Sequence, residues 1–195
     1  MWEYLGRELN KFFLHKNGRC NQHARAAIRL GFHDAGAWSK TTAYGGADGS
    51  MLLSWDEINR PENKGLQPIR LKALELLLRW GPYGVGAADL IQFMANVATV
   101  TCPLGPRVRV FVGRENSSKS PTGLLPNVHS NAHTLLELFA NKTITPEGLV
   151  ALVGAHTSSN QFFVEPKKFG APQDSTPGVW DVSFYNETLS TKNDS

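Results

Sequence analysis

The sequence predicts a mainly α-helical chain with little β structure. Three observations carry this. Residues 2–16 place Leu5, Leu9, Phe12 and Phe13 at helical spacing. Residues 67–79 are a run of strong helix formers, Gln-Pro-Ile-Arg-Leu-Lys-Ala-Leu-Glu-Leu-Leu-Leu-Arg. Residues 87–99 are apolar nearly all round apart from Asp89, Gln92 and Asn96, the pattern of a buried helix.

In order, the first helix ends at the stop signal Asn17-Gly18. A second, Ala-rich helix covers 21–34, with Ala24, Ile28 and Phe32 expected inward. A long irregular stretch rich in Gly, Ser and Thr follows, and then the 67–79 helix, broken by Gly81-Pro82. Cys102-Pro103 stops the 87–99 helix. Val108–Val112 has β propensity but is short, so at most a brief strand is expected there. Residues 115–125 read as a polar loop, and Pro126-Asn127 as the start of a helix running to about 140. Thr145-Pro146-Glu147 combines a cap residue, Pro at the first position and an acid in the first turn. The helix it opens is apolar up to His156, where Gly154 and Ala155 are small enough to leave room for something flat.

The 195 residues suffice for one domain with a proper core. With 41% hydrophobic and 19% charged residues the composition is that of an ordinary globular protein. The net charge of +3 comes from scattered Lys and Arg, which argues against a nucleic-acid partner. No apolar run is long enough to span a bilayer, so no membrane partner is expected. Two cysteines, Cys20 and Cys102, can make at most one bridge. Sequons at Asn116, Asn141, Asn186 and Asn193 lean towards a secreted protein, although Met1-Trp2-Glu3-Tyr4 leads straight into the amphipathic pattern rather than a leader.

The chemistry concentrates in Arg29-Leu30-Gly31-Phe32-His33-Asp34. In a helix, Arg29 and His33 share a face, and a permanent cation stacks on a titratable base. That pair suits proton transfer while negative charge develops on oxygen. Asp34 points away and, with Gly46, Asp48 and Ser50, offers hard-oxygen ligands of the kind Ca²⁺ takes, although by itself a solvated loop whose Asp and Ser cap their own backbone is the better reading. Asp174-Ser-Thr176-Pro-Gly-Val179-Trp-Asp181 repeats that chemistry. His129 and His133, four apart, form a possible metal pair, but no third ligand is near in sequence and a surface role is the better reading.

Together these pieces resemble the plant, fungal and bacterial haem peroxidase superfamily, most of all its secreted fungal branch, over essentially the whole chain. The resemblance implies a single helical domain of residues 1–195. Haem b would lie between a distal part, about 1–125, and an incomplete proximal part, about 126–195. It makes His33 the distal base, Arg29 the distal arginine and Phe32 the ring over the haem. Glu57 and Asn63, six apart, match the pair that fixes the distal His tautomer. His156 matches the axial iron ligand, and Pro126 a residue lining the haem. Asp34, Gly46, Asp48 and Ser50 match one Ca²⁺ site; Thr157, Asp174, Thr176, Val179 (by its carbonyl) and Asp181 match a second. Cys20 and Cys102 match a family disulfide, and with it an oxidising compartment.

By the same resemblance the substrates are H₂O₂ and a small phenolic or similar donor, and the protein is a secreted monomer. The positions matching the family's Mn²⁺ ligands are Gln22, Ala26 and Phe162, none of them acidic. The place of the surface Trp of high-potential members is held by Ala151. Family members continue through further helices that include an Asp bonded to the axial His, and no residue here matches that Asp. A non-catalytic, calcium-binding relative or interaction protein is the alternative.

Overall fold

The computed structural model describes residues 1–190. Its helices are α1 (Trp2–Phe13), α2 (Gln22–Gly36), α3 (Ser50–Leu53), α4 (Trp55–Ile58), α5 (Gln67–Trp80), α6 (Ala87–Thr101), α7 (Ala132–Ala140), α8 (Pro146–Val153) and α9 (Ser183–Ser190), with short 3₁₀ turns between. Among the described residues the only β pairing is two isolated bridges, Leu14 with Cys20 and Asn160 with Pro172. Val108–Val112 takes no regular secondary structure, so the brief strand does not form.

The core lies among α1, α2, α5 and α6. Leu5, Leu9 and Phe13 of α1 meet Leu30 of α2, Ile69 and Leu76 of α5, and Leu90, Ile91 and Met94 of α6 in one buried cluster. α1 stops at Phe13 rather than 16 because the chain turns back at once: His15 N–H donates to Arg19 O, with Gly18 at φ +80°. In α2 the inward residues are Ala24, Ala27, Leu30 and Gly31, while Ile28 and Phe32 are only half-buried. Gly31 is where α2 and α6 come closest. A Cβ there would stand 2.5 Å from the Cβ of Ala95, and Gln92 Nε2 donates to Gly31 O at 3.1 Å.

A disulfide joins Cys20, just before α2, to Cys102, just after α6. It ties together the ends of the two central helices. Asp89 pins the loop after α6 by accepting from Gly113 N and from Arg114.

The second part of the chain is less buried. The helix expected from Pro126 begins only at Ala132. Asn127 Oδ1 takes His129 N and Asn127 O takes Ser130 N, a local turn that competes with helix. Asn131 then caps α7 by accepting from Thr134 N. The start of α8 follows the sequence reading, with Thr145 Oγ1 accepting from Gly148 N at 3.1 Å. Its end does not. The α-helix stops at Val153, and Gly154–Ser158 is a 3₁₀ turn. The Tyr185 hydroxyl bonds the Val150 carbonyl and fills the space beside Gly154 that the sequence left open. No residue of α8 is buried although all but Glu147 are apolar or Gly.

Candidate active site

Arg29 and His33 occupy successive turns of α2, as their spacing requires. Arg29 Nε donates to His33 Nε2 at 3.1 Å. Its two other nitrogens donate to the carbonyls of Lys64 and Glu62, both at 2.9 Å. The guanidinium is therefore held in one orientation. Its neighbour Gly65, at φ +88°, lets the loop pass close to both Arg29 and Phe163.

His33 is 9% exposed. Its Nδ1 lies 2.7 Å from Asn63 Oδ1. Amide Nδ2 of Asn63 is committed to the Glu57 main-chain carbonyl at 2.7 Å, so its oxygen must accept. Hence Nδ1 of His33 carries the proton and Nε2 is left basic. Burial, with the Arg29 charge beside it, pushes His33 down to about 4 against the opposing Asn63 bond. The imidazole is neutral, and its one acceptor lone pair, on Nε2, is held by Arg29 Nε, so it takes a proton once that bond opens. Glu57 takes part through its backbone, not its carboxylate. That carboxylate accepts from the Ser120 hydroxyl and has one buried oxygen without a partner. Phe32 meets the His33 ring edge-on at 5.7 Å.

Asp34 turns to the other side of α2 and is fully buried. It accepts from Gly49 N and Met51 N, both at 3.2 Å. Asp48 accepts from Ser50 N at 3.0 Å and lies next to Gly46, whose φ is +108°. Ser50 Oγ is buried with no partner. Burial, helped by the nearby Asp48 and Glu57 charges, drives the Asp34 carboxyl up to about 8 against the Met51 and Gly49 N–H groups. Asp34, Asp48 and the Ser50 hydroxyl are oxygen donors of the type a hard divalent cation takes, and its charge would reverse that shift.

A second oxygen cluster forms at the C-terminal side. Thr157 Oγ1 stands 2.7 Å from Asp174 Oδ2 and 3.2 Å from Asp181 Oδ1. Thr176 Oγ1 donates to Asp181 Oδ2 at 2.8 Å. Val179 closes the turn by donating to Thr176 O. Desolvation raises the Asp181 carboxyl, but bonds from Ser183, Thr176 and Thr157 outweigh it and hold it below the usual range. These donors also suit Ca²⁺. Among the described residues no group of three or more His, Cys, Asp or Glu is gathered to hold a metal by such side chains alone, so both clusters depend on hydroxyls and carbonyls.

His156 lies exposed in the 3₁₀ turn after α8. Desolvation by its neighbours keeps it below its ordinary pKa, which leaves a neutral imidazole of the kind that ligates iron. Its nearest ring is Phe184, edge-on at 5.3 Å. Pro126 lies in the loop ahead of α7.

The chain matches the sequence model of the peroxidase family over residues 8–193. It belongs to the peroxidase family. It is 34% identical over 184 residues to a peroxidase of Arthromyces ramosus, covering 90% of this chain and 50% of that protein. Against manganese peroxidase H4 of Phanerodontia chrysosporium it is 34% identical over 178 residues, 88% of this chain and 46% of that one. Against the low-redox potential peroxidase of Taiwanofungus camphoratus it is 33% identical over 190 residues, 96% and 53%. The chain thus spans about half the length of the curated relatives it matches.

Within the peroxidase fold, the structure brings together Arg29, His33, Asn63 and the Glu57 carbonyl, and separately both oxygen clusters. It does not make a pair of His129 and His133: His129 lies outside α7, and His133 faces Glu137 at 3.5 Å. Of the sequons, Asn186 is exposed, Asn116 caps α6 by accepting from Ala88 N, and Asn141 Nδ2 donates to Ser39 Oγ. Asn193 lies outside the described residues. The roles of Lys142 and Gly31 were missed by sequence reasoning. For Gly31 the signal was present, a glycine inside a helix that pays a propensity cost without a turn to justify it.

Proposed function

We propose that this chain carries the catalytic site of a haem peroxidase that reduces H₂O₂ and oxidises small phenolic or similar donors at the haem edge. The observation that supports it most is the oriented chain Arg29–His33–Asn63–Glu57 carbonyl, which leaves one basic nitrogen, His33 Nε2, beside a fixed cation. His156 is the residue that would hold the iron of haem b, and Phe32 and Pro126 would line the plane.

The haem, when bound, supplies the electrons and the oxygen-activating iron. The protein's part is proton transfer and field. Once its bond from Arg29 Nε opens, His33 Nε2 takes the proton from the inner oxygen of H₂O₂ and returns it to the outer oxygen, which leaves as water. Arg29 donates to the oxygen on which negative charge grows as the O–O bond lengthens. Asn63 keeps the His33 proton on Nδ1 throughout, so the same nitrogen gives and takes.

The two oxygen clusters are read as structural Ca²⁺ sites, one beneath α2 and one beneath His156. Residues 1–195 form one domain in this reading, with distal and proximal parts meeting near 125. The Cys20–Cys102 bridge and the exposed sequon at Asn186 support a secreted protein. In this reading the protein is a monomer acting on small molecules, without nucleic acid or membrane partner; among the described residues no helix is long and apolar enough to cross a membrane. Manganese is not the donor in this reading, because Gln22, Ala26 and Phe162 offer no carboxylate. Ala151 offers no surface ring for oxidation of bulky aromatics.

One observation favours a second reading, a calcium-binding relative without turnover. His156 meets the Phe184 ring, where a strong axial donor needs a carboxylate. Peroxide-dependent oxidation of a simple phenol by the haem-loaded chain separates the two. Activity lost in His156→Ala and in His33→Ala supports the peroxidase. Absence of turnover in the haem-loaded parent protein favours the calcium-binding relative.

A further inference from the structure

Lys142 is buried without an acid. Its residue is 7% exposed, and no carboxylate pairs with it among the ion pairs of the described residues. The ammonium donates instead to the main-chain carbonyls of Gly36 at 2.7 Å and Trp38 at 2.6 Å. Burial without an anion is costly. What offsets it is the place. Gly36 is the last residue of α2 and Ala37 its cap. The carbonyls there lack helical donors, and the negative end of the helix dipole favours a cation.

The same turn adds two bonds. Asn141 Nδ2 donates to Ser39 Oγ at 2.7 Å, and Lys40 N–H donates to Asn141 O at 3.1 Å. Asn141 and Lys142 thus grip residues 36–40 through four hydrogen bonds. The turn itself connects α7 to α8 and is sharp, with Thr143 at φ +61°.

We propose that Lys142 is a positioning residue. It clasps the end of the helix that carries His33 to the start of the helix that leads to His156, and so sets the separation of the two imidazoles. The proposal rests on the reading of His33 and His156 as groups on opposite faces of one haem. His33 stands three residues before Gly36, and α8 begins four residues after Lys142. The other end of the same segment is tied down as well. Ser158 Oγ lies 3.5 Å from Cys20 Sγ, 3.3 Å from Cys102 Sγ and 3.4 Å from Pro177 O. A segment anchored at both ends has its height set by both anchors, and Lys142 is the anchor whose charge gives it a fixed seat. Asn141 belongs to the clasp, so its amide nitrogen is engaged where a glycan would attach.

Lys142→Met keeps the chain length and removes the donors. The test is amide hydrogen exchange on the haem-free chain, followed by the ferric absorption spectrum of the haem-loaded chain. Exchange is expected to rise by about tenfold or more both at 36–40 and at Gly154–Ser158, with α1 and α6 unchanged. The haem-loaded variant is expected to show a different coordination spectrum from the parent. If Lys142→Met does not fold, Asn141→Ala removes one bond only and carries the same test with a smaller effect. A rise confined to 36–43, with Gly154–Ser158 as protected as in the parent, overturns the proposal. Because exchange is read without haem, a parent chain that fails to bind haem sinks the peroxidase reading and leaves the clasp to be judged by exchange.

Discussion

Arg29 and His33 share one hydrogen bond, but burial does most to decide the protonation of the site. Burial disfavours the imidazolium, and a guanidinium aimed at Nε2 adds to it, so His33 sits at about 4. Above that value the imidazole is neutral and accepts the peroxide proton. Below it the base is already protonated. The rate of reaction with H₂O₂ is therefore expected to be flat from neutral pH down towards about 4 and to fall tenfold per pH unit below it. Stopped-flow rates across pH check this; a loss of rate centred near 6.5 would mean His33 is not held as described. Arg29 and His33 could be read from residue type and spacing, because helical geometry stacks i and i+4; Glu57 and Asn63 came only from the family resemblance. That Glu57 acts through its carbonyl could not be read, because a main-chain contact leaves no mark on residue identity.

The helices were readable where burial is one-sided and strong. α5 and α6 lie within a residue or two of their expected bounds because their apolar patterns persist through several turns. The misjudged ends, at residues 14–16, 126–131 and 154–156, were settled by a bridge, an Asn turn and a tyrosine hydroxyl, which are tertiary or local bonds that compete with helix. The α2–α6 contact depends on Gly31. Gly31→Ala is expected to cost about 1–3 kcal/mol, because a methyl 2.5 Å from Ala95 forces two central helices apart. Chemical denaturation measures it. A stabilised variant, as an exposed helical Gly→Ala would be, contradicts the close packing.

For the molecule as a whole, calcium and pH are linked through Asp34. Its carboxyl rises from 3.8 to about 8 on folding. The folded, calcium-free chain keeps a proton that the unfolded chain gives up. That contribution to stability is fully present below 3.8 and is lost as pH rises towards 8. Ca²⁺ must displace the proton, so its stabilising effect is expected to grow across the same window. Melting temperatures with Ca²⁺ and with EDTA at pH 5 and pH 8 test this, and a calcium effect that is equal at both contradicts it. The two oxygen clusters were readable as ligand types in sequence. Their convergence across 34–50 and 157–181 was not, since only folding brings those segments together.

The most direct measurement is the reaction of the haem-reconstituted chain with one equivalent of H₂O₂, followed in the Soret band. The parent protein is expected to bind haem through His156 and to change its spectrum rapidly on mixing. In His33→Ala the same change is expected to be slower by about 10²–10⁴-fold, the usual worth of a positioned base. Equal rates in the two proteins, or no haem bound to the parent, would contradict the account.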